Sequence, residues 1–141
     1  MEITYKAFDN LPEEAKYIRK TVFSDEQGFV DEFNESDERS VHILLYSNDK
    51  AIGVSRIIYS EGHKMLTIGR FAILKEYRKY GYGRILMEST EQEIIKRYGH
   101  INVGVSAQKR AEGFYEKVGY KQVGDYYLDE NYPHIFMVKQ L

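Results

Sequence analysis

The sequence contains no cysteine, and its only prolines are Pro12 and Pro133. A chain without cysteine has no disulfide, no thiolate metal site and no cysteine nucleophile. No apolar run approaches the roughly 20 residues that cross a bilayer. The opening residues also lack the apolar stretch of a signal peptide. We therefore expect a cytoplasmic protein with no membrane partner.

Charge and composition narrow the class of protein further. The formal charge is −2, from 20 basic and 22 acidic residues, whereas domains that bind nucleic acid usually carry a basic surplus. We therefore expect no nucleic-acid partner. Hydrophobic residues make up 43% and charged residues 30% of the 141 positions, as in ordinary globular proteins. The chain has no repeat and no linker-like tract, so we expect a single domain over residues 1–141.

The pattern of apolar residues predicts an α/β fold of the mixed, α+β kind. Alternation over 3–7 predicts a strand, and helical spacing over 11–23 predicts a helix, with Asn10 and Glu13 as a capping box. The acidic stretch 24–40 is a loop or a short second helix. Further strands are predicted over 41–47, 50–60, 64–74, 101–107, 121–128 and 134–140, and helices over 83–98 and 109–118. This order implies a mostly antiparallel sheet of six to seven strands, with one βαβ crossover and helices on both faces.

The segment "EYRKYGYGRILM", which begins at residue 76, joins a predicted strand to a predicted helix. The first amides of a helix lack intrahelical partners and carry partial positive charge, so they attract anions. Gly81 and Gly83 would let a phosphate approach closely. Arg78, Lys79 and Arg84 could add charge-assisted bonds. A structural turn with solvated charges explains the bare pattern equally well. Neither G-x-x-x-x-G-K-[ST] nor a complete G-x-G-x-x-G is present, which disfavours ATP and NAD.

Two motifs carry a resemblance to a known superfamily. "RKYGYGR", which begins at Arg78, resembles the R-x-x-G-x-G pyrophosphate loop of the GNAT N-acetyltransferases. "QKRAEGFYEKVGY", which begins at Gln108, resembles their second signature, N-x-x-A-x-x-F-Y-x-x-x-G-[FY]. The segments "RKTVFSDEQ" and "YLDENYPHIFM" are similar to the small ElaA-like or YjcF-like branch. The resemblance covers essentially the whole chain.

The resemblance implies a GNAT-like sheet with a splayed strand pair that binds coenzyme A. The implied activity is transfer of the acetyl group of acetyl-CoA directly to the amine of a small molecule or peptide, with no covalent enzyme intermediate and no metal. The backbone of 71–73 would pair with the pantetheine arm, and the amides of 79–84 would hold the pyrophosphate. "RFAIL" could equally be a buried strand, and these two interpretations are compatible. The implied cofactor-binding residues are Phe71, Ala72, Ile73, Arg78, Lys79, Tyr80, Gly81, Tyr82, Gly83, Arg84, Gln108, Phe114 and Tyr115.

Tyr115 matches the tyrosine that serves this family as the acid. A phenol, with an ordinary pKa near 10, can donate a proton to the departing thiolate. The alternative is that Tyr115 only packs in the core. Many relatives carry a glutamate base where this chain has Gly69, so the base must come from elsewhere or from solvent. His134 is the preferred candidate, since histidine titrates near neutral pH. His42 and Glu26 are weaker candidates, and a structural, hydrogen-bonded role for His134 stays open.

The site for the acceptor amine is implied only by where that site lies in members of the family. The N-terminal helix and the loop after it help to shape that pocket, and an arginine there could grip a carboxylate-bearing molecule or brace the loop. The acidic run 31–38 could favour a cationic amine or be a solvated face. Aromatic side chains such as Tyr80 and Tyr127 could stack on adenine, face the acceptor or bury a homodimer contact. The candidate substrate-binding residues are Arg19, Phe23, Glu26 and Gln27.

Two alternatives to the enzyme remain. One is a non-catalytic acyl-CoA-binding or sensor domain, which the departures at Gly69 and Gln108 favour. The other is a phosphate-binding module for a different ligand, in which the glycine loop is reused.

Overall fold

The computed structural model describes residues 2–30 and 33–141. In these ranges seven strands form one sheet. The strands are β1 (Ile3–Phe8), β2 (Val41–Ser47), β3 (Lys50–Ser60), β4 (Met65–Ile73), β5 (Asn102–Gln108), β6 (Lys121–Asp129) and β7 (Tyr132–Gln140). Their order across the sheet is β1-β2-β3-β4-β5-β7-β6. All neighbours are antiparallel except β4 and β5, which confirms the predicted mixed, mostly antiparallel sheet with one crossover.

The helices also agree with the predictions, apart from the first. They are α1 (Glu13–Arg19), α2 (Glu35–Glu38), α3 (Tyr82–Tyr98) and α4 (Glu112–Lys117). The helix predicted to run to about Phe23 is present, but only Glu13–Arg19 is α-helical, and it continues as a π-helical stretch over Lys20–Glu26. No helix of the described ranges is long and apolar enough to cross a membrane.

The capping box predicted for α1 is absent. Pro12 occupies the N-cap position in an extended conformation, and no side chain caps the helix there. A capping box forms instead at α2, where Asn34 accepts from the Ser36 amide and Asp37 accepts from the Asn34 amide. The acidic stretch therefore contains the short second helix that was one of its two interpretations.

Helices cover both faces of the sheet. On one face Ala15 and Ile18 of α1 pack in a buried cluster with Val54 of β3. On the other face Leu86 and Ile94 of α3 pack in a second cluster. Successive side chains of β2 from Ile43 to Tyr46 alternate between the two clusters, as the pleat of a strand requires.

β4 and β5 diverge halfway along their length. Their ladder has three pairs, from Leu66 with Val103 to Ile68 with Val105. Beyond this point β4 pairs only with β3, and β5 pairs only with β7. The cause is a bulge in β4, where Arg70 and Phe71 lie opposite the single residue between Val54 and Arg56 in β3. Arg70 has φ +47°, and a bulge of this kind bends its strand. The predicted splay of two strands is therefore present.

Candidate active site

A cleft of about 600 Å³ opens at the point where β4 and β5 part. It lies on the face of the sheet that α1 covers. Ile57, Val105 and Ile135 belong to the core of the opposite face, so their neighbours along each strand point into the cleft. The floor includes Arg56, Gly69, Ser106, Gln108, His134 and Phe136.

Three segments outside the sheet form the walls. The π-helical stretch and the loop after it contribute Phe23 and Gln27, and α4 contributes Tyr115. The end of β6 contributes Asp129, and the turn after it contributes Glu130. π-Helical turns are rare and occur often at functional sites, because the wider turn redirects the side chains that follow it. Of the four predicted acceptor-side residues, Phe23 and Gln27 therefore line the cleft.

The glycine loop leads from β4 into α3. Gly81 is the N-cap residue of α3 with φ +82°, and no side chain caps the helix there. Lys79 also lies in the left-handed region, with φ +71°. Lys79, Tyr80 and Arg84 are exposed, whereas Tyr82 is buried beside Tyr80. The loop therefore presents an open helix N-terminus with two cations at its rim, which suits an anion.

Gly83 has a packing role that the motif alone does not reveal. A Cβ at Gly83 would lie 3.2 Å from Cε1 of Phe114, while a Cβ at Gly81 would meet nothing within 4 Å. The two motifs therefore interlock, since Gly83 from the first makes room for Phe114 from the second. Phe114 in turn contacts Phe71 of β4, with ring centroids 5.6 Å apart.

The side chain of Arg78 is engaged by the protein itself. Its Nε–H donates to the Ile73 carbonyl at 2.9 Å, and its Nη2 donates to Glu26 Oε1 at 2.8 Å. Its Nη1 donates to the other carboxylate oxygen of Glu26. The hydrogen bond from Arg78 lowers the pKa of Glu26, which disfavours the weaker candidacy of Glu26 as a base. Glu26 is therefore a partner of the donor loop, and it does not line the cleft.

Arg19 is not at the cleft, and of its two interpretations the bracing one agrees with the structure. Its side chain is fully buried, and its Nη1 donates to Asp37 Oδ1 at 2.7 Å. Its guanidinium also lies over the ring of Phe33, 5.0 Å from the centroid. Burial acts to raise the pKa of Asp37, but hydrogen bonds from Arg19 and Arg56 outweigh burial and lower this pKa to about 2.

The acidic run 31–38 does not line the cleft where the structure describes it. Asp31 and Glu32 lie outside the described residues. Glu35 and Glu38 are exposed, and Asp37 faces Arg19. The described carboxylates of this run therefore give no support to a cationic acceptor.

Tyr115 lies in an aromatic cluster at the inner wall of the cleft. Its ring centroid is 6.1 Å from that of Phe71 and 5.3 Å from that of Phe114. Burial raises the pKa of Tyr115 well above its usual range, so the phenol stays protonated at neutral pH. The packing and acid interpretations are compatible, because the same residue packs in the core and lines the cleft.

His134 lies on the cleft floor in a defined tautomer. Its Nδ1 is 2.8 Å from the Tyr132 carbonyl, which can only accept, so Nδ1 carries the proton. In the neutral ring Nε2 then has the lone pair and can accept a proton. His42 is fully buried outside the cleft, with its Nε2 2.8 Å from the Asp37 carbonyl. His42 is therefore a structural histidine, and His134 keeps both its structural bond and a free accepting position.

Gln108 is held by two neighbours. Its Nε2 donates to Gln27 Oε1 at 3.1 Å, and its Oε1 accepts from Arg110 Nε at 2.7 Å. Arg110, which the sequence did not single out, also lies 4.3 Å from the ring centroid of Tyr132. In the ranges that the structure describes, no three His, Asp or Glu side chains are grouped so as to hold a metal ion.

Arg56 is a second cleft residue that sequence reasoning missed. The only signal was its place in "GVSRIIYS", where it faces opposite to Ile57. Alternation could have put it on the α1 face, but nothing in the sequence indicated that this face is open there.

Comparison with known proteins identifies the family. The family model described as "Acetyltransferase (GNAT) domain" matches residues 9–141. The protein YyaT of Bacillus subtilis is 38% identical over 91% of this chain and 88% of its own length. The N-acetyltransferase YjcF of the same organism is 33% identical over 89% of this chain and 90% of its own length.

Solved structures show the same fold. Escherichia coli ElaA superposes with a TM-score of 0.86 at 24% identity, over 99% of this chain and 100% of that chain. Neighbours with this fold include an acetyltransferase in complex with coenzyme A. The predicted resemblance to the ElaA-like and YjcF-like branch is thereby confirmed. The chain belongs to the GNAT acetyltransferase family.

Proposed function

We propose that residues 1–141 act as a single domain that transfers the acetyl group of acetyl-CoA directly to the amine of a small molecule, in the cytoplasm and without a covalent enzyme intermediate. The observation that carries the proposal is the gap beside β4 after Ile68, which leads from the glycine loop to a cleft lined by Tyr115 and His134. Membership of the GNAT family supports an acyl-CoA co-substrate.

Donor binding would use the backbone. The β4 edge at Phe71, Ala72 and Ile73 has no strand partner on the β5 side, although the Ile73 carbonyl accepts from Arg78, so the edge can take an extended, amide-bearing arm as an added strand. The first amides of α3, behind Gly81, would hold the pyrophosphate. The exposed side chains of Lys79 and Arg84 would add charge at the rim, whereas Arg78 would hold Glu26.

The reaction needs one group that takes a proton from the attacking amine and another that gives a proton to the departing sulfur. Nε2 of His134 would take the proton that the amine loses as its nitrogen bonds to the carbonyl carbon. The C–S bond then breaks, and the Tyr115 hydroxyl would give its proton to the departing sulfur. Solvent would return the proton from His134 to Tyr115 and restore both groups.

A non-catalytic acyl-CoA-binding or sensor domain is the second candidate. It is favoured by Gly69, which supplies no carboxylate at the position where many relatives carry one, and by the engagement of Gln108 with Gln27 and Arg110. Such a protein would bind acetyl-CoA and leave it intact.

The test is consumption of acetyl-CoA in the presence of a panel of small-molecule and peptide amines. Because the chain has no cysteine, a thiol-reactive chromophore would report released CoA without background from the protein. Mass spectrometry would identify the acetylated amine. Binding of acetyl-CoA by calorimetry with no turnover across the panel would favour the sensor. Stabilisation by ATP but not by CoA would overturn both candidates.

A further inference from the structure

The Arg56 side chain lies on the cleft floor with a hydrogen-bonding capacity that the protein does not use. Nη1 donates to Asp37 Oδ1 at 3.1 Å, and this is its one hydrogen bond within the described residues. Nε is buried without a partner. A Cβ at Gly69, the cross-strand neighbour, would lie 4.0 Å from Nη2. Nη2 therefore faces the space that the missing side chain leaves.

Arg56 shares its carboxylate partner, Asp37, with a second arginine. Asp37 is shared with Arg19, whose Nη1 and Nη2 lie 2.7 Å and 3.4 Å from its two oxygens. One carboxylate thus faces two guanidinium groups. Burial lowers the pKa of Arg56, and the nearby charge of Arg70 acts in the same direction. A further negative charge beside Arg56 would be stabilised.

The described residues of the cleft floor include no carboxylate. Among the described residues that line the cleft, the carboxylates are Asp129 and Glu130, and both are exposed, at the end of β6 and in the turn after it. Since Nη2 borders an open pocket, a ligand carboxylate could reach it by a charge-assisted hydrogen bond.

We propose that the acceptor amine carries a carboxylate group, which Arg56 binds in the space beside Gly69. This inference rests on the proposed acetyl transfer and names the substrate class of the same site.

The phosphates of coenzyme A are the wrong anions for this position. The glycine loop that would hold them follows Ile73, and Gly69 lies four residues earlier in β4, on the order of 13 Å away along the strand. The arginine also suits the reaction. A fixed positive charge near the acceptor ammonium lowers its pKa, and so raises the fraction of neutral, nucleophilic amine.

The test compares ω-amino acids of two to six carbons with their amides and with monoamines of equal length. We expect kcat/KM to favour the best amino acid over its amide by about tenfold or more, as a charge-assisted hydrogen bond would give. Arg56→Gln should bring this ratio close to one. Arg97→Gln is the matched control, because Arg97 pairs with Asp9 and Glu93 away from the cleft, and it should keep the ratio.

A second variant serves if Arg56→Gln does not fold. Gly69→Glu would put a carboxylate of the chain against Arg56, and it should abolish the preference with the arginine still present. Calorimetry with N-acetylated ω-amino acids and their amides gives a readout that does not require turnover. Wild-type protein should bind the carboxylate form about tenfold more tightly than the amide.

The outcomes separate the two proposals. Equal kcat/KM for amino acids and amides would contradict the proposal that Arg56 binds a carboxylate, but it would not contradict acetyl transfer. Preference for aminophosphonates over amino acids would also contradict the proposed carboxylate. If no amine is acetylated and acetyl-CoA does not bind, the proposed function fails, and the calorimetric comparison alone decides whether Arg56 binds a carboxylate.

Discussion

The ring of Phe114 lies where the first carbon of a side chain on Gly83 would crowd it, 3.2 Å from Cε1. Phe114 cannot move alone, because it also packs against Phe71 and Tyr115. The glycine loop and the aromatic cluster therefore move together, and a change in one is expected to displace the other.

Gly83→Ala should lower kcat by several-fold while changing the free energy of unfolding by less than about 1 kcal/mol. The methyl group displaces Phe114, but alanine's higher helix propensity offsets part of the packing loss. Steady-state kinetics and urea unfolding would measure the two effects. Phe114→Leu in the same chain should restore kcat, and a failure of this rescue would contradict the steric cause.

Removal of either member of the Arg78–Glu26 pair should weaken acetyl-CoA binding to a similar extent. Each change breaks the same contact between the donor loop and the π-helical wall, and the pair is half-exposed, so its effect on unfolding should be below about 1 kcal/mol. Calorimetry with Glu26→Gln and Arg78→Gln tests this. Tighter binding in Glu26→Gln would show instead that Glu26 competes with pyrophosphate for Arg78.

Tyr115→Phe should lower kcat by about 100-fold with little change in stability. Loss of a general acid typically costs at least that factor, and no hydrogen bond to the Tyr115 hydroxyl forms in the described part of the chain. Tyr120→Phe is the control. Its hydroxyl donates to Glu91 at 2.8 Å, so that variant should lose stability and keep its rate. An unchanged kcat in Tyr115→Phe would contradict the proposed role of Tyr115 as the acid.

His134→Asn should lower kcat by about 100-fold, because a general base typically contributes at least that factor. Asparagine keeps an N–H that can donate to the Tyr132 carbonyl, but it has no ring nitrogen to accept a proton from the amine. His100→Asn, at an exposed position, should keep its rate. An unchanged kcat in His134→Asn would contradict the base role.

Asp37→Asn should destabilise the protein by about 3–5 kcal/mol at pH 7, because it removes the buried carboxylate that accepts hydrogen bonds from Arg19 and Arg56. The folded pKa of Asp37, about 2, is below its unfolded value of 3.8. Its contribution is therefore complete above about pH 4 and is lost as the pH falls towards 2. The difference in unfolding free energy between the two proteins should shrink by about 2 kcal/mol over that interval. Denaturant unfolding across this range would show it, and a constant difference would contradict the pairing.

Much of the fold could be predicted because its signals are local. The alternation in β1 and the helical spacing in α3 are properties of neighbouring residues, and local patterns of this kind predicted the order of elements and the crossover. The two family motifs likewise located Gly81 and Tyr115 from contiguous sequence. The periodic patterns can be recognised in one sequence because each helix or strand must present an apolar face to the core.

What could not be predicted depends on residues distant in sequence. Arg78 pairs with Glu26 across 52 positions, and Arg19 pairs with Asp37 across 18. The bulge at Arg70 requires a left-handed backbone at a residue that gives no sign of it. The π-helical turn after α1 likewise leaves the spacing of apolar residues almost unchanged. These features shape the cleft. The residues of the proposed coenzyme A site could therefore be predicted better than those of the acceptor site.

The three-pair ladder between β4 and β5 has a mechanical consequence. The strands β1–β4 are paired with one another along most of their lengths, and so are β5–β7. Only the short ladder between β4 and β5 joins these two halves of the sheet. Few interstrand bonds therefore join the two halves, and they are also joined by the buried cluster that contains Ile57 of the first half with Val105 and Ile135 of the second. The width of the cleft between β4 and β5 thus depends on the packing of this core as well as on the ladder.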